Sequence, residues 1–173
     1  MLTPVPVRVR CDDDLETCVR ALAAVHAADG YPMLWPADPT AWLTPPGMTR
    51  AWVAEHRGAV CGHVGVVQGV HEPAVTGLTG VPASGLASVT RLFVAPEGRG
   101  HGSGARLLDA VQGHAAERGL LLMLDVVDDG SPAVGLYERL GWRLVHRRLA
   151  DWATPAGTRP PVRLYLAPAP PST

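Results

Sequence analysis

The chain has 173 residues, 47% of them hydrophobic and 18% charged. This length is typical of one globular domain, and the composition excludes a largely disordered protein. Fifteen basic residues, all arginine, oppose sixteen acidic ones and leave a formal net charge of −1. Because nucleic-acid and anionic-membrane binders usually carry a basic excess, we expect no nucleic acid and no membrane among the partners of this chain.

The three cysteines, Cys11, Cys18 and Cys61, show no CxxC spacing and no accompanying histidine-rich motif. An odd cysteine count without such spacing argues against a disulfide framework or a zinc module, so we expect no metal. The N-terminus lacks the apolar run of a signal peptide, and no stretch approaches the roughly eighteen apolar residues of a membrane span. The sequence therefore predicts a cytoplasmic protein.

The N-terminal third predicts one strand and two helices. Valines alternate over 5–9, and the intervening proline favours a position at the edge of a sheet. Asp13 and Glu16 have the spacing of a capping box, and apolar residues then recur at helical spacing until Gly30. A short second helix is expected over 38–43.

The rest of the chain alternates strands, turns and helices. We first expect a hairpin whose two strands span 51–56 and 59–68. A long loop at 69–85 and the fourth strand of the chain, at 87–94, come next. A loop of that length in a compact domain is either mobile or functional. A helix up to Gly119, a buried strand at 120–127, a helix from Ser131 to Gly141 and strands at 142–149 and 162–166 follow. The order predicts an α/β protein: a mixed sheet with helices on both faces, in a single domain over 1–168 with a frayed tail at 169–173.

The most informative motif is the glycine-rich turn from Gly98 to Gly104, between a strand and a helix. Backbone N–H groups at a helix start have no intrahelical partner and attract anions, and glycines let a phosphate approach closely. Arg99 can add a bidentate positive charge. The motif predicts a cradle for a phosphate or pyrophosphate.

Two other phosphate-binding classes fit less well. A Walker A loop needs a lysine, and the chain has none. The spacing Gly100-x-Gly102-x-x-Ala105, with Asp125 farther on, formally fits a dinucleotide fingerprint. However, that fingerprint follows its strand directly, and here five residues separate Val94 from the first glycine, with too little chain remaining for a doubly wound fold.

Two motifs resemble the GCN5-related N-acetyltransferase (GNAT) family. Arg99-Gly100-His101-Gly102-Ser103-Gly104 matches its acyl-CoA motif Arg/Gln-x-x-Gly-x-Gly/Ala. The segment from Ala133 to Trp142 is similar to its A-x-x-L-Y-x-x-x-G-F/W signature. The clear resemblance covers about 87–149, and one departure is Gly130, where the family often has asparagine; Asp129 or Ser131 are candidates to replace that polar contact.

The resemblance implies a GNAT fold with splayed central strands, a mostly antiparallel sheet and acetyl-CoA as the acyl donor. Backbone groups of Leu92, Phe93 and Val94 would then pair with the pantetheine arm, and an N–H near Val94 would hold the oxyanion of a tetrahedral intermediate. The residues expected to bind the donor are Leu92, Phe93, Val94, Arg99, Gly100, His101, Gly102, Ser103, Gly104, Ser131 and Tyr137.

The resemblance also implies that a primary amine attacks the thioester directly and that Tyr137 is the general acid for the departing thiolate. The base is open: His63 and Glu55 are the first candidates, His71 and Glu72 are others, and a water chain without a single base is an equal alternative. The fourth strand carries no carboxylate where the family often has glutamate.

The acceptor is expected to be a small molecule or peptide amine, bound by the variable segments 31–46, 69–86 and 151–161. An alternative function is a non-catalytic acyl-CoA-binding or sensing module. Homodimers are common in the family, and an edge strand such as the last one is the expected contact.

Overall fold

The computed structural model describes residues 4–170. Its seven strands form one sheet in the order β1-β2-β3-β4-β5-β7-β6. Pairs β1/β2, β2/β3, β5/β7 and β6/β7 are antiparallel, whereas β4/β5 is parallel. The predicted mixed, mostly antiparallel sheet is therefore confirmed. The three terminal residues 171–173 of the expected frayed tail lie outside the described residues.

The chain divides into two compact units. The first unit contains residues up to Val67 and Thr90–Val111. Its complete elements are β1 (Val7–Val9), α1 (Leu15–Asp29), α2 (Pro39–Trp42) and β2 (Met48–His56), with most of β3 (Ala59–Gln68). One buried cluster joins apolar side chains of α1 to those of the strands, among them Leu22, Val53 and Phe93.

The second unit contains Gln68–Val89 and the described residues from Gln112 onward. Its elements are α3 (Pro73–Thr79), β5 (Leu121–Val127), α5 (Pro132–Arg139), β6 (Arg143–Leu149) and β7 (Pro161–Leu166). Its core contains Leu86, Met123 and Leu164. Strand β4 (Leu86–Val94) and helix α4 (Ser103–Glu117) contribute residues to both units.

The prediction of a long loop over 69–85 was wrong in part, because the segment contains helix α3 and a 3-10 turn at Ala83–Gly85. Pro73 occupies the first turn of this helix, where its missing N–H costs nothing. Gly80 ends it in the left-handed conformation, at φ 73°. These start and stop residues are the signal that the loop interpretation overlooked.

Two further expectations need correction. The capping box joins Cys11 and Asp14 around a 3-10 turn, Asp12–Asp14, and not Asp13 and Glu16. The last strand, β7, is not an edge strand, because it lies between β5 and β6. The edges of the sheet are β1 and β6, so a dimer through an edge strand would use one of those.

Candidate active site

The glycine-rich turn packs closely against strand β3. A Cβ added to Gly98 would lie 2.6 Å from Sγ of Cys61 and 2.7 Å from its Cβ. The backbone here is also tied to β3, because the N–H of Ala95 donates to the carbonyl of Cys61 at 2.7 Å. Only glycine fits at position 98, and the turn leaves β4 along a fixed path.

Farther along the turn, two glycines face open space. Gly100 and Gly102 have φ of +77° and +76°, and a Cβ at either position would meet no atom within 4 Å. The left-handed backbone explains the choice of glycine. The open space above it leaves room for a ligand to approach the main chain.

Helix α4 begins at this open surface. The carbonyl of Gly102 accepts the first helical hydrogen bond from the N–H of Arg106 at 3.1 Å. Oγ of buried Ser103 donates to the carbonyl of Gly98 at 2.9 Å and joins the two ends of the turn. The backbone N–H groups of the first helical turn have no intrahelical acceptor, and the helix dipole favours an anion there. These main-chain groups could hold an anion such as a pyrophosphate.

The side chain of Arg99 is bound to protein groups in this structure. Its Nε donates to the carbonyl of Val94 at 3.0 Å, and its guanidinium forms an ion pair with Asp29 at the end of α1. Arg99 therefore braces the turn against α1. The ring of His101 lies 4.4 Å from that of His56, and its buried Nδ1 has no hydrogen-bond partner among the described residues.

The side chains of β4, the strand predicted to bind the donor, alternate in burial. Phe93 is buried, with its ring stacked 5.4 Å from that of His63, whereas Leu92 and Val94 are half-buried. The parallel ladder between β4 and β5 covers three residue pairs, from Leu86 with Leu121 to Ser88 with Met123. This short ladder agrees with the splayed central strands that the family resemblance implies.

His63 is fully buried, and both of its ring nitrogens are engaged. Nδ1 lies 2.8 Å from the carbonyl oxygen of Arg91, and Nε2 lies 2.8 Å from Nη1 of Arg10. Because a guanidinium only donates, Nε2 accepts and Nδ1 carries the proton. Burial lowers the pKa of His63 to about 4. The geometry therefore supports a positioning role for a neutral His63.

Glu55, the other first candidate for the base, is ion-paired. Its Oε1 lies 2.7 Å from Nη2 of Arg8, whose guanidinium also binds Asp14 at 2.8 Å. The same pairing holds the pKa of Asp14 well below its ordinary value. Glu55 thus belongs to a charge network on β1 and β2.

In the second unit, Tyr137 lies on α5 and is buried. Its ring lies 6.0 Å from that of Trp142 and 6.1 Å from that of Tyr165. Tyr165 is itself tied down, since its hydroxyl donates to Glu138 at 2.9 Å. The aromatic cluster holds the Tyr137 ring in one position.

Ser131 precedes Pro132 at the start of α5, as the sequence predicts. Its hydroxyl makes no capping hydrogen bond, and its N–H donates to Oδ1 of Asp129 at 2.9 Å. Asp129 therefore organises the turn that contains Gly130, the position where the family often has asparagine.

Glu72, a further base candidate, is buried and paired with Arg148. Its Oε2 lies 3.2 Å from Nη2 of Arg148, and Asp125 lies 3.9 Å from the same nitrogen. Burial raises the pKa of Asp125 above its ordinary value. This group of charges comes from the residue that precedes α3 and from β5 and β6.

The prediction from the sequence did not include three residues that stabilise the first unit. Asp29 pairs with Arg99, Arg10 contacts His63, and Arg91 lies over the ring of Trp42. Each pairing joins residues far apart in the chain. The only local signal was Arg91 itself, a charged residue in an otherwise uncharged strand.

Comparisons with known proteins identify the family and the fold. A profile of the Acetyltransferase (GNAT) family matches residues 16–142. No curated protein sequence matches the chain significantly.

Several solved structures share the fold. Arabidopsis thaliana NAA60 in complex with acetyl-CoA has a TM-score of 0.72 at 19% identity, covering 94% of this chain and 97% of that one. The ribosomal-protein-alanine N-acetyltransferase from Brucella melitensis has a TM-score of 0.70 at 18% identity, covering 93% and 98%. A GCN5-related N-acetyltransferase from Kribbella flavida has a TM-score of 0.66 at 21% identity, covering 95% and 98%.

The family match spans more than half of the chain and includes the glycine-rich turn and Tyr137. The chain therefore belongs to the GNAT family of acetyltransferases. Within the described residues 4–170, no helix combines the length and apolar character needed to cross a bilayer.

Proposed function

We propose that the chain transfers an acetyl group from acetyl-CoA to a primary amine of a small molecule or peptide, by direct attack of the amine on the thioester. One observation carries the proposal: Gly100 and Gly102 present left-handed backbone to open space where helix α4 begins. A pyrophosphate fits the main-chain donors there. The neighbour that contains acetyl-CoA supports the choice of donor.

The donor would be held mainly by backbone. The N–H groups of Gly100–Gly104 would bind the pyrophosphate, with Arg99, Ser103 and His101 holding the turn in shape through their side chains. Backbone groups of Leu92–Val94 would pair with the pantetheine amides. An N–H donor aimed at the thioester oxygen would stabilise the oxyanion, an effect of about 3 kcal/mol in other acyl transfers.

We propose Tyr137 as the general acid. A thiol has a pKa of about 8.5, so the departing thiolate benefits from a proton donor, and a tyrosine hydroxyl with a pKa of about 10 can supply it. The packing of the Tyr137 ring against Trp142 and Tyr165 supports the role, since it leaves the ring little freedom. Ser131 and Asp129 would contact the donor at the start of the same helix.

For the base we favour a water chain over a single residue. His63 uses its only lone pair to accept from Arg10, and Glu55 is neutralised by Arg8. Water molecules leading from the amine to solvent would carry its proton away. The expected pocket for the amine consists of segments 31–46, 69–86 and 151–161.

Because arginines bind both His63 and Glu55, neither side chain is free to act as a base. This favours one alternative function, a non-catalytic module that binds or senses acyl-CoA. The two functions are separated by incubating the protein with acetyl-CoA and a panel of amino acids, polyamines and peptides. Release of free CoA thiol, with a matching acetylated product by mass spectrometry, supports the enzyme. Acetyl-CoA binding without product from any amine supports the sensing module.

We further propose that residues 1–168 make one N-acetyltransferase domain of a cytoplasmic protein. The family match runs through residues of both compact units. The free thiols of Cys11, Cys18 and Cys61 suit a reducing compartment.

A further inference from the structure

Four arginines are half-buried in the described part of the chain: Arg10, Arg91, Arg148 and Arg163. Arg148 pairs with Glu72 and Asp125, and Arg163 pairs with Asp128 and Glu138. Among residues 4–170, neither Arg10 nor Arg91 forms an ion pair with a carboxylate. A guanidinium taken out of water normally has an anionic partner, so these two are exceptions.

Arg10 is satisfied by neutral groups. Its Nη1 donates to the carbonyl of Leu43 at 2.8 Å and to Nε2 of His63 at 2.8 Å, and its Nη2 donates to Oγ1 of Thr44 at 3.2 Å. These contacts tie β1 to the end of α2 and to β3. Arg10 has a structural role and needs no ligand.

Arg91 is different, because its terminal nitrogens remain available. Its Nε donates to the carbonyl of Trp42 at 2.9 Å, and its guanidinium carbon lies 4.0 Å above the centre of the Trp42 ring. Among the described residues, no protein acceptor binds its two Nη groups. The guanidinium is thus oriented by Trp42 on one side, with its outer nitrogens free to donate.

The position of Arg91 in the strand is also unusual. It has φ +53°, a left-handed conformation that costs an arginine free energy, and the hydrogen bond from His63 to its carbonyl holds it there. It directly precedes Leu92–Val94, the backbone proposed to bind pantetheine. Tyr31, which is 38% exposed, packs edge-on against Trp42. The guanidinium therefore lies beside segment 31–46, which is expected to bind the acceptor.

We propose that Arg91 binds a carboxylate of the acceptor, so that the preferred acceptor is a free amino acid or a similar amine that carries a carboxylate. A bidentate bond from the two Nη groups would neutralise the half-buried charge and orient the amine. The Trp42 and Tyr31 rings would contact the apolar part of the molecule. This inference rests on the proposed acetyl transfer and adds the class of acceptor.

The first test compares acceptors that differ only in the carboxylate. Each amino acid is assayed beside its amide and its decarboxylated amine, for example phenylalanine, phenylalanine amide and phenethylamine. We expect kcat/KM for the best amino acid to exceed that for its amide by at least about tenfold, the size of one charge-assisted contact. Equal rates with the amides, or a preference for peptide N-termini, would overturn the inference.

The second test changes Arg91. Arg91→Gln should remove the preference, lowering kcat/KM for the amino acid by about tenfold or more while leaving the amide within about threefold. Arg91→Lys keeps the charge and should retain part of the preference. Arg50→Gln, at an exposed arginine of β2, is the matched control and should change neither substrate. An equal loss with both substrates would show that Arg91 is only structural.

A binding experiment separates this inference from the proposed function. The protein with CoA is titrated calorimetrically with N-acetylphenylalanine and with N-acetylphenethylamine. Binding of the acid alone, abolished by Arg91→Gln, would support the carboxylate site even if no amine is acetylated. Acetylation of amines with no carboxylate preference in either experiment would reject the site and keep the acetyltransferase.

Discussion

His63 donates a hydrogen bond from Nδ1 to the carbonyl oxygen of Arg91 at 2.8 Å. The bond joins the middle of β3 to the one residue of β4 with a left-handed backbone, at φ +53°. The other ring nitrogen, Nε2, accepts from Nη1 of Arg10, and this second contact requires a neutral imidazole because a guanidinium only donates. Protonation of the buried His63 would place a third positive charge beside Arg10 and Arg91, so burial of this neutral ring makes the fold sensitive to acid.

We therefore expect stability to fall between about pH 6.5 and pH 4. Burial lowers the pKa of His63 to about 4, whereas in the unfolded chain it is about 6.5. In this range the unfolded state binds a proton that the native state does not, so the free energy of unfolding decreases as the pH falls. The full effect is about 3 kcal/mol and would be measured by urea denaturation at a series of pH values.

His63→Asn is the control for this pH dependence. Asparagine cannot titrate, so the variant should be less stable at pH 7 but should lose the slope between pH 6.5 and 4. Asp14 does not confound the comparison, because its pKa is held below its ordinary value and its contribution is lost only at lower pH. The same slope in both proteins would show that His63 is not the titrating group.

Tyr137→Phe tests the general acid. The change should lower kcat by about tenfold or more and leave the Kd for acetyl-CoA within about twofold, because only proton donation to the thiolate is lost. Tyr165→Phe is the matched control: it removes a buried hydroxyl from the same aromatic cluster, one bound to Glu138. Equal kcat values for Tyr137→Phe and wild type would leave Tyr137 as a packing residue.

Gly98→Ala tests the close approach of the turn to β3. The new Cβ would overlap Cys61, so we expect the free energy of unfolding to fall by about 1–3 kcal/mol. Gly113→Ala, on helix α4 with open space around it, should instead raise it by about 0.5–1 kcal/mol. Urea denaturation of both variants checks the signs, and equal effects would contradict the packing described for position 98.

Much of the fold follows from local sequence. Gly30 ends α1 in the left-handed conformation, Pro132 follows Ser131 at the start of α5, and the hairpin turns at Arg57-Gly58, because these signals act over a few residues. Helix α3 was missed although Pro73 and Gly80 mark its ends, since its apolar pattern is too short to show a period.

The candidate site could be predicted only where neighbouring residues in the sequence form it. The turn from Gly98 to Gly104 is contiguous, and its glycines predict phosphate binding, which stays a prediction. The partners of Arg99 and His63 were not predictable, because Asp29 and Arg91 lie far away in sequence. Strand order is equally nonlocal, which explains why β7 was expected at an edge.

Gly102→Glu should abolish donor binding. The substitution places a side chain and a negative charge in the open space where the pyrophosphate is expected, and glutamate is strained at φ +76°. Gly113→Glu adds the same charge in open space on α4, away from the turn, and serves as the control for net charge and folding. If folded Gly102→Glu binds acetyl-CoA as tightly as the wild type, the turn from Gly98 to Gly104 is not the pyrophosphate site.

The most direct measurement is calorimetric titration of the purified protein with acetyl-CoA, CoA, ATP and NADH. We expect micromolar affinity for acetyl-CoA and CoA, and no comparable affinity for ATP or NADH, because the backbone of Leu92–Val94 is proposed to pair with a pantetheine arm, which ATP and NADH lack. Absence of CoA binding, or tighter binding of NADH, would contradict the assignment of Gly98–Gly104 as an acyl-CoA cradle.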